Sequence, residues 1–242
     1  MIRLGLIGKK LSHSFSKKFF EEKWKNENIS GYSYELFELE SIDEFHTIIG
    51  PDLLGLNITV PYKESILPFL THQDESVQKV GAANVIKFEK NGNITGFNSD
   101  YYGFKESLEN WFPGRIKNSL ILGTGGASKA VSAVLNDLGI QVQLVSRNPK
   151  GHAISYEELS TLDLNMFPLI VNTSPLGMFP DTDSCPLIPY SKLTESHFLY
   201  DLVYNPVETK FISLGSKQGA SIKNGLEMLS LQAEKSWEIW TS

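Results

Sequence analysis

Ser119-Leu120-Ile121-Leu122-Gly123-Thr124-Gly125-Gly126-Ala127-Ser128-Lys129-Ala130-Val131 passes from an apolar run through a glycine-rich turn into a helical repeat. Ala127, Ala130, Val131, Val134, Leu135 and Leu138 recur at helical spacing, and Gly139 stands where a C-terminal cap is expected. Gln141–Val145 follows as a second apolar run, so the stretch predicts a β-α-β unit with parallel strands. A glycine run alone reads equally well as a structural turn. Between a strand and an amphipathic helix, Gly123, Gly125, Gly126 and Ala127 instead predict a dinucleotide site. There the backbone approaches a pyrophosphate and the helix N-terminus stabilises its charge.

The end of the second strand bears on which nucleotide. An NAD site places a carboxylate about 20 residues beyond the glycines, to accept from the ribose hydroxyls. Here the strand ends Val145-Ser146-Arg147-Asn148, without an acid. Arg147 suits a 2′-phosphate through charge-assisted, bidentate bonds, which favours NADP; otherwise it is a solvated surface arginine.

Outward from this unit, strand-like and helix-like segments alternate, which predicts an α/β protein. Toward the N-terminus the pattern predicts a strand at Ile2–Ile7, a helix at Lys17–Lys25 and a strand at Tyr34–Leu39. A helix near Ile42–Ile49 follows, then a strand at Leu54–Val60 leading into a helix that starts at Pro61. Asn91-Gly92 predicts a hairpin turn between Val85–Lys90 and Asn93–Phe97, an antiparallel ribbon at the edge of the first domain. Toward the C-terminus, strands are expected at Leu169–Asn172, Phe198–Val203 and Ser221–Lys223. The last helix, Leu226–Trp240, carries Leu229, Ala233, Trp237 and Trp240 on one side. Junctions near Asp100 and Gly225 divide the chain into residues 1–100, completed by 225–242, and residues 101–224.

Composition narrows the class. The 242 residues are 41% hydrophobic and 21% charged, ordinary for a globular protein. A net charge of −6 argues against nucleic-acid backbone binding but leaves room for one small anionic ligand. Cys185 is the single cysteine, which fits a reducing, cytoplasmic setting, and the five histidines show no metal-ligand spacing. Met1 through Gly8 is interrupted by Arg3 and reads as a buried strand rather than a signal or membrane segment.

Four segments of the first half carry polar groups at element ends. In Ser12-His13-Ser14-Phe15-Ser16 one serine is explained as a helix cap, and two hydroxyls at a helix N-terminus suit a carboxylate ligand. Asn57-Ile58-Thr59-Val60-Pro61-Tyr62-Lys63 places Asn57 and Thr59 on one strand face with Lys63 just beyond. Gly81-Ala82-Ala83-Asn84 and Gly96-Phe97-Asn98-Ser99-Asp100 add two further polar termini. Alone, Lys63 reads as a solvated lysine and Asp100 as a first-turn acid complementing the helix dipole.

Taken in order, these segments resemble the signatures of the shikimate dehydrogenase (shikimate/quinate dehydrogenase) family. So do Asn172-Thr173-Ser174-Pro175-Leu176-Gly177-Met178, Tyr200-Asp201-Leu202-Val203-Tyr204, and Gly225 through Gln232. The resemblance spans nearly the whole chain. It implies an N-terminal α/β substrate domain and a Rossmann-like, doubly wound NADP-binding domain with a cleft between them. It further implies NADPH-dependent, reversible reduction of 3-dehydroshikimate to shikimate, a step of aromatic amino acid biosynthesis, by a monomer or homodimer.

By the same resemblance Lys63 and Asp100 are catalytic, and Ser14 and Ser16 hold the substrate carboxylate, with Tyr204 near it. Asn84, Thr59 and Gln232 surround the ring hydroxyls and Asn57 supports the pocket. Gly123, Gly125, Gly126, Ala127, Ser146, Arg147, Asn148 and Thr173 belong to the nucleotide, with Gly225 and Met228 near the nicotinamide. The chain departs from the family pattern at Lys17, where proline usually follows the second serine, and at Lys9-Lys10, in place of a proline-containing turn. Ser99 stands for a common threonine and Ser146-Arg147-Asn148 for Asn-Arg-Thr. Two alternatives compete: a quinate-using or dual-specificity relative working with NAD, and a catalytically silent NADP-binding regulatory protein. Ser16, often threonine in the former, and the retained Lys63, Asp100 and Gln232 favour the dehydrogenase reading.

Overall fold

The computed structural model describes residues 1–11 and 14–242, so Ser12 and His13 of the serine-rich turn lie outside the described residues. The chain forms two compact units: Met1–Tyr102 with Gln232–Ser242, and Gly103–Leu231.

The first unit is built from β1 (Ile2–Gly8), α1 (Phe15–Asn26), β2 (Tyr32–Glu38), a 3₁₀ turn at Ile42–Thr47 and β3 (Leu53–Ile58). It continues through β4 (His72–Gln73), α2 (Glu75–Val80), β5 (Val85–Phe88), β6 (Ile94–Phe97) and the start of α3 (Ser99–Trp111). The six strands form one mixed sheet in the order β2-β1-β3-β5-β6-β4. Strand β1 pairs in parallel with β2 and β3, whereas β5 is antiparallel to both β3 and β6.

Alternation along the strands feeds two cores. One joins Ile7, Phe45, Leu56, Ile58, Tyr62, Ile66 and Ile86. The other joins Leu4, Leu6, Phe20, Trp24, Tyr34 and Val85 with Ala233 and Trp240 of the C-terminal helix. Phe20 stacks on Tyr34 at 5.0 Å and lies 5.4 Å from Trp240. Ala233, Trp237 and Trp240 of the face predicted at the C-terminus thus pack on this core, and burial of the large rings is what anchors the helix.

Three local expectations are corrected here. The segment after Pro61 is a series of turns followed by a 3₁₀ turn at Leu67–Phe69, not a regular helix. Pro68 lacks the N–H that would continue an α-helical ladder from Glu64. The β5–β6 ribbon is not the sheet edge, because two-residue β4 pairs with β6 outside it. In the ribbon's turn Gly92 takes positive φ (87°) while Asn91 does not.

The second unit contains β7 (Asn118–Leu122), α4 (Gly126–Asp137), β8 (Gln141–Val145), α5 (Tyr156–Thr161), β9 (Leu169–Asn172), β10 (Phe198–Asp201), α6 (Lys210–Ser216), β11 (Ser221–Lys223) and the start of α7 (Leu226–Thr241). Its five strands run in the order β11-β10-β9-β7-β8, all parallel. The chain winds from β7 outward to β8 and then returns to β9 on the other side of β7. This reversal is a topological switch point, where open parallel sheets bind ligands at their carboxyl ends. The predicted face of α4 is buried at Ala130, Val131, Val134 and Leu135; Leu138, just past the helix, is 40% exposed instead.

Among the described residues no helix is long and apolar enough to cross a membrane. Nor do the described residues contain a His/Cys/Asp/Glu group able to hold a metal ion.

Candidate active site

In the first unit Ser14 caps α1, its Oγ accepting from Lys17 N–H at 3.3 Å, and no acid occupies the helix's first turn. An accepting hydroxyl keeps its own proton to donate, so the cap and an anion-binding role are compatible. Ser16 lies two residues on, its hydroxyl near enough to the buried phenol of Tyr34 to draw that pKa down against burial, which dominates and raises it. The cap therefore accounts for Ser14.

Asn57 sits on β3, buried, with its Oδ1 accepting from Tyr34 Oη at 2.7 Å and its Nδ2 donating to Ser236 Oγ at 3.0 Å. Thr59 falls just past the strand and is half-buried, its N–H donating to Ile7 O at 2.8 Å. Tyr62 anchors the following turn by donating to Leu39 O at 2.5 Å, and Ala83 N–H donates to Lys63 O at 2.8 Å. These two bonds fix the backbone on either side of the lysine.

Asn98 caps α3, its Oδ1 accepting from Tyr101 N–H at 3.1 Å. Asp100 is thereby placed in the first turn, where the helix dipole favours its charge. Lys63 Nζ lies 2.6 Å from Asp100 Oδ2, and the two side chains remain 22% and 16% exposed. A charge-assisted bond of this length, still open to solvent on one side, leaves the ammonium able to give a proton to a third group. Beside the pair, Asn84 is held by Ser99, whose N–H donates to Asn84 Oδ1 at 2.6 Å. Ser99 Oγ in turn donates to Gln232 Oε1 at 3.3 Å. The first unit therefore gathers Asn57, Asn84 and Gln232 into one bonded polar group, with the Lys63–Asp100 pair on the element ends next to it.

In the second unit Gly123 directly follows β7 with φ at 121°, and its N–H donates to Val145 O at 2.8 Å. A Cβ there would lie 2.8 Å from Thr173 Oγ1, so both the backbone angle and the close approach require glycine. Thr173 follows β9 and donates from both N–H and Oγ1 to Leu122 O at 3.0 Å. The glycine turn and Thr173 thus straddle the switch point.

Gly125 is the N-cap of α4 without a side-chain cap bond, and the helix has no acid in its first turn. Nothing stands within 4 Å of a Cβ built at Gly125 or Gly126. Uncapped N–H groups with open space above them fit a pyrophosphate. Ser146 and Arg147 lie at the end of the neighbouring strand β8, where Ser146 N–H donates to Ile154 O and Ser146 Oγ accepts from Asn148 N–H at 3.2 Å. Arg147 is exposed and close enough to Tyr156 to draw its phenol pKa down, against burial, which dominates and raises it. This donor set fits a dinucleotide carrying an additional phosphate.

Tyr204 is half-buried just past β10, Gly225 is buried with its N–H on Val203 O at 3.2 Å, and Met228 is buried on the first turn of α7. At the end of β10, Asp201 is fully buried and accepts from Asn172 Nδ2, Val203 N–H and Thr209 Oγ1. Burial pushes its carboxyl pKa up to about 6, partly offset by those three donors. Tyr34, Ser236 and Asp201 were not singled out from sequence as site residues. Tyr34 and Ser236 stand in mixed polar and apolar stretches and Asp201 in a mainly apolar one, and only the fold reveals their partners.

A family model described as the shikimate dehydrogenase substrate binding domain matches residues 6–86. A shikimate dehydrogenase (NADP(+)) of Clostridium beijerinckii is 38% identical over 250 residues, covering 98% of this chain and 90% of its own length. The enzyme of that name from Methanococcus maripaludis strain C6 is also 38% identical, over 98% of this chain and 91% of its own. The solved structure of Thermus thermophilus shikimate 5-dehydrogenase, in complex with NADP(H) and shikimate, is similar with a TM-score of 0.84 at 27% identity. That likeness covers 100% of this chain and 94% of the other.

Proposed function

The chain belongs to the shikimate dehydrogenase family, and from that premise we propose how its residues divide the family's reaction. The protein is an NADP-dependent oxidoreductase that interconverts 3-dehydroshikimate and shikimate. NADPH supplies the hydride for ketone reduction. Lys63 donates a proton to the oxygen that becomes the alkoxide, and Asp100 orients the ammonium and a ring hydroxyl. The carrying observation is the 2.6 Å Lys63–Asp100 bond, since Lys63 alone is a turn lysine and Asp100 alone a first-turn helix acid until the two are joined.

Ser14 and Ser16 bind the substrate carboxylate, with Tyr204 near it. Thr59, Asn84 and Gln232 bind ring hydroxyls, and Asn57 holds the pocket wall. The first unit is thus the substrate domain and the second the nucleotide domain. In the second, the N–H groups of Gly125, Gly126 and Ala127 take the pyrophosphate, and Thr173 supports the turn at Gly123. Ser146, Arg147 and Asn148 take the 2′-phosphate, while Gly225 and Met228 lie near the nicotinamide.

The uncapped helix N-terminus and the arginine in place of a strand-end carboxylate support this assignment. We place the enzyme in the cytoplasm, as a monomer or homodimer acting in aromatic amino acid biosynthesis, without nucleic-acid or membrane partners. Oxidation of shikimate and of quinate, each with NADP and with NAD, tests the reading. The highest kcat/KM is expected for shikimate with NADP, and a preference for quinate with NAD would overturn it.

A further inference from the structure

Three residues assigned above to the substrate pocket, Asn57, Asn84 and Gln232, are tied together by three buried hydroxyl residues, Tyr34, Ser99 and Ser236. The direction of each bond can be worked out from groups that cannot reverse. A main-chain N–H only donates, so the Asn84 atom 2.6 Å from Ser99 N is Oδ1. Asn84 Nδ2 then donates to Ser99 Oγ at 3.1 Å, and Ser99 directs its proton to Gln232 Oε1 at 3.3 Å. The Gln232 amide is thereby turned with its oxygen toward Ser99 and its N–H groups away from it, a donor for a hydroxyl or ketone oxygen.

A second branch starts at Tyr34. Burial keeps this side chain a neutral phenol, and it donates to Asn57 Oδ1 at 2.7 Å. Asn57 Nδ2 must then donate, and it does so to Ser236 Oγ at 3.0 Å. The single proton of Ser236 is shared between two acceptors, the main-chain oxygen of Gln232 at 2.9 Å, which cannot reverse, and Ser99 Oγ at 3.3 Å. Ser99 Oγ thus accepts from Asn84 and from Ser236 while donating to Gln232, so Ser236 joins both branches.

We propose that Ser236 is a positioning residue for substrate binding. From inside α7, one turn beyond Gln232, its hydroxyl holds the Asn57 amide and the Ser99 hydroxyl in the orientations that present Gln232 as a donor. Removing it leaves Asn57 Nδ2 with a 3.4 Å contact to Asn84 O, a poor substitute for a buried amide. The pocket's polar groups then rearrange, although Ser236 itself does not touch substrate. The inference rests on the assignment of Asn57 and Gln232 to the shikimate pocket.

Steady-state kinetics of Ser236→Ala, Ser236→Thr, Gln232→Ala and the Ser236→Ala/Gln232→Ala double variant test it, with NADPH affinity and thermal melting recorded for each. Ser236→Ala is expected to raise KM for shikimate about tenfold, with kcat within about threefold and NADPH affinity unchanged. Ser236→Thr, which keeps the hydroxyl, restores most of the loss. In the Gln232→Ala background the Ser236 effect shrinks to about twofold or less, because its target is gone. If Ser236→Ala fails to fold, Ser236→Cys, close in size and a weak bonding partner, takes its place with the same expected rise. A KM within twofold of the parent for Ser236→Ala, with Gln232→Ala impaired, overturns the inference and leaves the site assignment standing. An undiminished effect in the double variant overturns it too, since it marks a merely structural role. A silent Gln232→Ala overturns the site assignment and the inference with it.

Discussion

Lys63 and Asp100 lie 37 residues apart in the chain and meet at 2.6 Å, one on a turn after β3 and the other in the first turn of α3. The turn is held by the Tyr62 hydroxyl and by the bond from Ala83 N–H to Lys63 O, so the lysine stem starts from a fixed backbone. Asp100 starts from a capped helix end. Each partner's backbone is positioned by its own element, so the entropic cost of the pair is confined to side-chain rotamers.

Lys63→Ala should lower kcat by a factor of about 10² to 10⁴ with little change in KM, the range expected when a positioned proton donor is removed. Initial rates of NADPH oxidation with 3-dehydroshikimate measure this. Near-parental turnover would remove Lys63 from the mechanism.

Arg147→Ala should raise KM for NADP at least about tenfold and leave KM for NAD nearly unchanged, because only the former carries the phosphate. Equal effects on both nucleotides would make Arg147 a general contributor to the nucleotide site rather than a phosphate reader.

The pKa of Asp201 is raised from 3.8 to about 6 by burial, so folding favours its protonated form. The folded state binds the extra proton between these values, and unfolding free energy falls as pH rises through them. Its contribution is fully present below 3.8 and lost as pH passes about 6, a change on the order of 3 kcal/mol. Urea midpoints of the parent and of Asp201→Asn across pH 4 to 8 should converge or cross within that window. Curves that stay parallel throughout would show that the carboxyl does not titrate there.

A Cβ at Gly55 would lie 2.1 Å from Trp240 Nε1, the same atom that donates to Ile86 O at 2.9 Å. Gly55→Ala should therefore displace the C-terminal helix and destabilise the protein by about 1–3 kcal/mol or more, as overpacking does. Denaturant unfolding followed by tryptophan fluorescence reads this, and an unchanged midpoint would contradict the packing described.

Much of this protein is determined by local pattern. The strand–glycine–helix–strand succession from Ser119 to Val145 needs only period, turn chemistry and a helix N-terminus, all of which act within a few residues. Strands β8, β9 and β11 coincide with the segments expected for them. Short elements such as α2, α5 and β4 carry too few residues for a period to show, and the turns after Pro61 imitate a helix start.

Among the site residues, Lys63, Asp100 and Gln232 stand out only through the order of motifs, because each has an ordinary local explanation. Tertiary structure alone decided that Tyr34, Ser99 and Ser236 join Asn57, Asn84 and Gln232 into one hydrogen-bonded group. It also decided that Asp201 is buried with three donors around it. The physical reason is range. Periodicity and capping are set by neighbours in sequence, whereas hydrogen-bond direction and desolvation depend on groups that only folding brings within about 3 Å.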